Sequence, residues 1–83
     1  MKTITLYTQP GCGPCIGVKS WLKSRKLAFT EVNVRKEPGA LEAITALGYT
    51  GTPVTIVNDG IGDIHFYGAD TTMLERFCGE AAA

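Results

Sequence analysis

The first part of the chain combines a strand pattern with a helix pattern. Residues 2–8 alternate between two sets of positions and are rich in β-formers, so they predict a strand, which the turn residues at 9–11 end. Pro14 suits the first turn of a helix, where its missing N–H is no loss. Apolar residues then recur at helical spacing to about Lys26, and a second strand is predicted over 28–34.

The middle of the chain predicts a second helix. Pro38 opens this helix, and Gly48 follows it as a natural C-terminal stop. Leu41, Ile44 and Leu47 are spaced so that they share one side of a helix. We therefore expect these three side chains to form its buried face.

A hairpin and a third helix complete the pattern. Residues 54–57 are β-formers, and the Asn-Asp-Gly turn at 58–60 sends the chain back as a fourth strand around 64–67. Asp70 can cap a helix that carries apolar residues within 73–77.

These elements predict an α/β fold of order β-α-β-α-β-β-α. Strands separated by a helix are expected to pair in parallel, and the two strands of the hairpin to pair antiparallel. The predicted architecture is a four-stranded mixed sheet flanked by three helices. The 83 residues have room for one core, so residues 1–83 are expected to form a single domain.

Composition and charge narrow the classes of partner. Eight basic and eight acidic residues cancel, so no net field favours nucleic acid or an anionic membrane. The basic residues do not cluster beyond the pairs Arg25-Lys26 and Arg35-Lys36. No apolar run approaches the roughly 20 residues that span a bilayer, and the N-terminus lacks the apolar core of a signal peptide. We expect a cytoplasmic monomer, in a reducing compartment, that acts on a protein or a small molecule.

The candidate chemistry is concentrated in Cys12 and Cys15, at the predicted start of the first helix. Thiol–disulfide exchange needs an attacking thiolate and a second thiol that releases the mixed disulfide. The N-terminal end of the helix favours the thiolate of Cys12, whereas Cys15, one turn further on, is expected to be more buried. In the expected cycle Cys12 attacks a substrate disulfide and Cys15 resolves the intermediate. The product is a redox-active Cys12–Cys15 disulfide, and we expect no bound cofactor.

Other interpretations of the cysteines stay open. Cys12, Cys15, His65 and Cys78 are plausible zinc ligands, although they lack a second closely spaced pair, and an iron–sulfur site is a minor alternative. A binding module in which the thiols are incidental is a further hypothesis. Cys78 fits a small core residue on an apolar helical face. His65 lies in the middle of a predicted strand, and a role as general base is the less favoured interpretation of it. We expect the chain to bind no metal.

With Cys-Gly-Pro-Cys and Thr52-Pro53 in view, the chain resembles the thioredoxin superfamily, and more closely the glutaredoxin-like NrdH-redoxins. The segments that carry the resemblance are residues 7–15, 48–54 and 66–70, and it extends over essentially the whole chain. It implies the thioredoxin fold. It also implies a loop around the two cysteines that includes Gly11, Gly13 and Pro14.

The resemblance assigns a substrate-binding role to four further residues. Pro53 is expected to follow a cis peptide bond and to lie against the cysteine pair. The backbone of Thr52 would then offer hydrogen bonds to an extended substrate peptide. Gly68 and Asp70 lie in the turn with which glutaredoxins bind the amino end of glutathione, but Asp70 is also an ordinary helix cap.

The resemblance also implies partners. NrdH-type redoxins pass electrons to a ribonucleotide reductase and are recharged by an NADPH-dependent thioredoxin reductase; other protein disulfides are further candidate substrates. Glutaredoxins use glutathione, and they usually carry a lysine where this chain has Gln9. Loss of that cation should weaken binding of the glutathione carboxylate. A protein disulfide reductase is therefore the main hypothesis, and a glutathione-dependent glutaredoxin the alternative.

Overall fold

Strands and helices follow one another along the chain in the order that the hydrophobic pattern predicts. The computed structural model describes residues 3–79. Its elements are β1 (Thr3–Thr8), α1 (Gly13–Ser24), β2 (Thr30–Asn33), α2 (Ala40–Ala46), β3 (Val54–Asn58), β4 (Asp63–Tyr67) and α3 (Thr71–Phe77). The predicted order β-α-β-α-β-β-α is confirmed, and the predicted second strand is shortened at both ends.

The four strands form one mixed sheet of order β2-β1-β3-β4. β1 and β2 pair in parallel and β3 and β4 pair antiparallel, as predicted. The expectation of parallel pairing is wrong for β2 and β3, because β3 lies on the other side of β1 and runs antiparallel to it. Tyr7 pairs with both Val32 and Val54, so the chain leaves β2 and enters β3 at the same end of the sheet. The connection through α2 therefore reverses the strand direction.

Helices cover the two faces of the sheet unequally. The larger core cluster comprises Ile4, Leu6, Val18, Leu22, Leu27, Val57, Phe66, Leu74 and Cys78. These residues bring α1 and α3 against one face. On the other face, Ala40 and Ile44 of α2 pack with Val34 and Val54. No helix in the described part of the chain is long and apolar enough to cross a bilayer.

The buried face of α2 differs from the prediction. Ile44 is fully buried, but Leu41 and Leu47 are 46% and 39% exposed. The helix begins at Ala40 rather than Pro38, and Ala40 lies one turn before Ile44, so these two residues face the sheet together. Leu41 is turned away from that line, and Leu47 lies at the end of the helix, outside the buried face.

Candidate functional site

The cysteine loop joins the end of β1 to the start of α1. Gly11 has a φ of 76°, a conformation that glycine adopts without a steric penalty, and Pro14 occupies the first turn of the helix. Cys12 is the N-cap residue, with extended backbone angles. The strand-to-helix turn thus places Cys12 just beyond the end of β1, an interior strand of the sheet, and directs the chain inward through Gly13 to Cys15.

The two cysteine sulfurs form a disulfide and differ in exposure. The Cα atoms of Cys12 and Cys15 are 5.3 Å apart, and the backbone N–H of Cys15 donates a hydrogen bond of 3.2 Å to Sγ of Cys12. Cys12 is half-buried, whereas Cys15 is only 2% exposed. The predicted order of burial is confirmed. An N–H donor and the helix N-terminus both favour negative charge on the outer sulfur.

Thr52 and Pro53 lead into β3 at the same end of the sheet. The peptide bond between them is cis, as expected, and both residues are buried. Pro53 precedes Val54, the β3 partner of Tyr7, and Tyr7 lies near the end of β1, from which the cysteine loop departs. Topology therefore brings the cis bond to the side of the sheet that carries the cysteines.

The turn between β4 and α3 also reaches this end of the sheet. Gly68, with a φ of 87°, donates its backbone N–H to the carbonyl of Pro53 at 2.9 Å. Oδ1 of Asp70 accepts hydrogen bonds from the backbone N–H groups of Thr72 and Met73 at 3.0 and 3.2 Å. Asp70 is therefore a helix cap, as predicted. Its second proposed role, in binding glutathione, stays a prediction.

An open cleft of about 270 Å³ borders Cys12 on the side of β2. Lys19 of α1 and Glu31 of β2 line it, and their Nζ and Oε2 atoms form an ion pair of 3.2 Å. Thr8 donates its hydroxyl to the same Oε2 at 2.8 Å. The Thr8 hydrogen bond, reinforced by Lys19, holds the pKa of Glu31 below its usual value. Sequence alone does not single out Thr8 and Glu31, since only the β1–β2 register brings them together.

A second contact that sequence alone does not reveal joins Gln9 to Arg35. Arg35, just after β2, donates from Nε to Oε1 of Gln9 at 3.1 Å. A guanidinium therefore lies beside the position where glutaredoxins usually carry lysine. The absence of lysine from position 9 is consequently a weaker argument against glutathione than the sequence suggested.

The four candidate zinc ligands do not come together. Within residues 3–79, no group of three His, Cys, Asp or Glu side chains is arranged to hold a metal. Cys78 is fully buried in the larger core cluster, as expected of a core residue. Nδ1 of His65 lies 2.7 Å from the hydroxyl of Tyr49, on the face of the sheet that α2 covers.

A larger cleft, of about 510 Å³, lies between α1 and α3. Trp21, Arg25, Glu75 and Arg76 are among its lining residues. Oε2 of Glu75 pairs with Arg25 at 2.6 Å, so part of the lining charge is already neutralised. Cys12 lines the smaller cleft and does not line this larger one.

Comparison with known proteins identifies a family. Residues 4–61 match the family model described as Glutaredoxin. The glutaredoxin-like protein NrdH of Escherichia coli K12 is 34% identical over 73 residues, which cover 88% of this chain and 85% of that protein. The corresponding protein of Lactococcus lactis MG1363 is 32% identical over 56 residues, which cover 68% and 78%.

A solved structure extends the similarity to three dimensions. The NrdH-redoxin from Escherichia coli, for which a thioredoxin-like activity profile is described, has a TM-score of 0.80 and 32% identity to this chain. The match covers 89% of this chain and 92% of that protein. The expected thioredoxin-like fold and the resemblance to NrdH-redoxins are confirmed.

Proposed function

Because the chain belongs to the glutaredoxin family of thiol–disulfide oxidoreductases, we propose that it is an electron carrier that reduces protein disulfides through Cys12 and Cys15. One observation carries this proposal: an accessible sulfur at a helix N-cap is bonded to a second sulfur that is buried. The outer sulfur can meet a large substrate, and the inner one is protected from it.

The reaction moves two electrons from the dithiol to the substrate. The Cys12 thiolate attacks one sulfur of the substrate disulfide, which forms a mixed disulfide and expels the other substrate sulfur as a thiolate that takes up a proton. Cys15 then loses its proton, and its thiolate attacks Sγ of Cys12. This step breaks the mixed disulfide, releases the second substrate thiolate and forms the Cys12–Cys15 disulfide. The structure corresponds to this oxidised product.

Substrate docking involves the segment beside the cysteines. Pro53 has no N–H, and its carbonyl already accepts from Gly68, so the backbone of Thr52 is the group that would pair with an extended substrate segment. Gly11, Gly13 and Pro14 shape the loop that presents Cys12. In this proposal the turn at Gly68 and Asp70 borders the bound substrate.

The proposed partners are those of an NrdH-type redoxin in the cytoplasm. A ribonucleotide reductase, or another protein with an accessible disulfide, receives the electrons, and NADPH-dependent thioredoxin reductase restores the dithiol. The thioredoxin-like activity profile of the Escherichia coli relative supports this route of recharging. The carrier acts as a monomer and needs no bound cofactor, since both electrons are held by its own sulfurs.

Glutathione is the second candidate reductant, and a specific contact favours it. The guanidinium of Arg35 beside Gln9 supplies a cation near the place where glutaredoxins bind a glutathione carboxylate. The Asp70 carboxylate, in the turn before α3, is the group that would meet the glutathione amino end.

A comparison of reductants tests the proposal. The oxidised protein is supplied with NADPH and either thioredoxin reductase or glutathione with glutathione reductase, and NADPH consumption is followed with a disulfide substrate. Turnover with thioredoxin reductase is expected, and turnover only with glutathione would contradict the main hypothesis. Arg35→Gln serves as an internal control, since it should weaken use of glutathione alone. Absence of turnover in both systems would overturn the redox proposal itself.

A further inference from the structure

Charge is strongly segregated along this chain despite its zero net value. All eight acidic residues lie after residue 30, whereas five of the eight basic residues lie before it. Four of those five fall within residues 19–26, in or just after α1. The Arg25-Lys26 pair is thus part of a larger basic group that also includes Lys19 and Lys23. The helix that begins at the reactive cysteine is the positive part of the molecule.

The lysines of α1 share a side of the helix with Cys12. Residues 12, 16, 19 and 23 are spaced by three or four, which aligns them along one face. The cleft at Cys12 is bordered by both Ile16 and Lys19, and Lys23 is close enough to Glu31 to help lower the pKa of its carboxyl. Ile16 is 64% exposed. We call Ile16, Lys19 and Lys23 the lysine stripe.

Arg25 and Trp21 point to a different surface. They line the cleft toward α3, where Arg25 pairs with Glu75. On the lysine stripe, Glu31 neutralises part of the charge of Lys19, whereas Lys23 forms no ion pair with any described residue. The stripe therefore keeps a net positive charge beside the half-buried Cys12.

We infer that the lysine stripe binds an acidic segment of the protein substrate, next to the disulfide that Cys12 attacks. This inference rests on the proposed function and narrows its substrate class to disulfides with acidic flanking residues. At about 1.5 Å per helical residue, Lys19 and Lys23 lie roughly 10 and 16 Å along the helix from Cys12. An extended segment covers that distance in about three to five residues. Ile16 offers an apolar contact between Cys12 and Lys19.

Two peptides with the same intramolecular disulfide test this inference. One carries glutamate, and the other lysine, at the third to fifth positions from the cysteine under attack. Single-turnover reduction by the pre-reduced protein gives a rate constant for each peptide, and each is divided by the rate constant for 2-hydroxyethyl disulfide. A general change in thiol reactivity then cancels from the ratio.

The glutamate peptide is expected to react about tenfold faster than the lysine peptide at low ionic strength. The ratio should fall toward one in about 0.5 M salt, because screening is then effective within a few ångströms. Lys23→Gln should lower the ratio, and Lys23→Glu should lower it further, to about threefold or less. Arg76→Gln and Arg76→Glu make the same charge changes on α3 and should retain the ratio.

Two results would overturn the inference. One is a ratio near one for the unaltered protein at low salt, and the other is an equal fall in the Lys23 and Arg76 variants. Failure to reduce either peptide or 2-hydroxyethyl disulfide would instead overturn the proposed function. In that case, each peptide is titrated into the Cys12→Ser/Cys15→Ser variant to measure its binding to the lysine stripe. Tighter binding of the glutamate peptide supports the inference, and equal binding of the two peptides refutes it.

Discussion

The cysteine loop and the core beneath α3 hold the same side chain in opposite surroundings. Cys12 caps α1 just beyond the end of the interior strand β1; it is half-buried, and a backbone N–H is directed at its sulfur. Cys78 ends α3 with no exposed surface, among the apolar residues between the sheet, α1 and α3. The two residues are of the same type, so their positions in the fold decide which thiol is reactive and which is a buried core residue.

The largest effect expected from this comparison is at Cys12. Cys12→Ser should lower the turnover of a protein disulfide at least about a thousandfold, because an alcohol cannot replace the attacking thiolate. NADPH consumption with thioredoxin reductase measures it. Cys78→Ser in the same assay is the matched control. Comparable losses of turnover in the two variants would contradict the assignment of Cys12 as the reactive thiol and Cys78 as a core residue.

Cys15→Ser separates the two members of the pair. The attack by Cys12 should still occur, but without a resolving thiol the mixed disulfide should accumulate as the main product. Mass spectrometry after mixing with a disulfide peptide detects the adduct and locates it. Cys12→Ser should form no adduct, and an adduct at Cys78 would contradict the assigned roles.

Cys78 should matter for stability rather than for turnover. Cys78→Ser places a hydroxyl in an apolar cluster and should lower the free energy of unfolding by about 1–3 kcal/mol. Cys78→Ala leaves no polar atom there and should cost less. Denaturant unfolding measures both, while turnover per folded molecule should stay within about twofold. A larger fall in turnover would move Cys78 into the functional region.

Asp70 lies between the two regions, as the cap of α3 and a neighbour of the site. Asp70→Ala should lower the free energy of unfolding by about 1 kcal/mol, whereas Asp70→Asn retains a capping oxygen and should cost less. Thermal unfolding compares them. If Asp70 also binds glutathione, both variants should raise the KM for glutathione, which a cap alone does not predict.

The smallest effect expected is an acid-dependent one at Glu31. The Thr8 hydrogen bond lowers the pKa of Glu31 in the folded protein below its ordinary value of about 4.5. The ionised group therefore stabilises the fold above that ordinary value, and the stabilisation is lost as pH falls through the lower, folded pKa. Since Glu31 is partly exposed, the contribution should stay below about 1 kcal/mol.

Glu31→Gln removes this titration, so its unfolding free energy should change less than that of the unaltered protein below pH 4.5. Denaturant unfolding at a series of acidic pH values measures the two slopes. Thr8→Val lacks the hydroxyl donor but keeps Lys19, so its slope should lie between those of the unaltered protein and Glu31→Gln. Identical slopes in all three proteins would contradict the role of the hydrogen bond.

The sequence was informative where a local rule decides the structure. The spacing of Cys12 and Cys15 at a helix start implies their unequal burial, and the side chain of Asp70 before a helix implies a cap. The cis bond before Pro53 followed only from the family resemblance, since most X–Pro bonds are trans.

Other features depend on contacts between distant segments. Glu31 reaches Thr8 and Lys19 only because β2 pairs with β1 in one particular register. Periodicity gave the rotation of α2 incorrectly, because a helix of seven residues has too few turns to fix its starting point. The reversal of β3 likewise follows from where the chain re-enters the sheet, which no local pattern encodes.

The cleft between α1 and α3 supplies an optical reporter for these stability measurements. Trp21 is the single tryptophan of the chain, and the guanidinium of Arg25 lies 4.7 Å from the centre of its ring. Arg25 follows directly on α1, and its ion pair with Glu75 of α3 holds the guanidinium in this cleft. Separation of α3 from α1 breaks that ion pair and exposes the indole further to water, so its emission changes when the larger core cluster opens. Because the indole lies on the opposite side of α1 from Cys12, its fluorescence follows unfolding without a dye and with little interference from the oxidation state of the sulfurs.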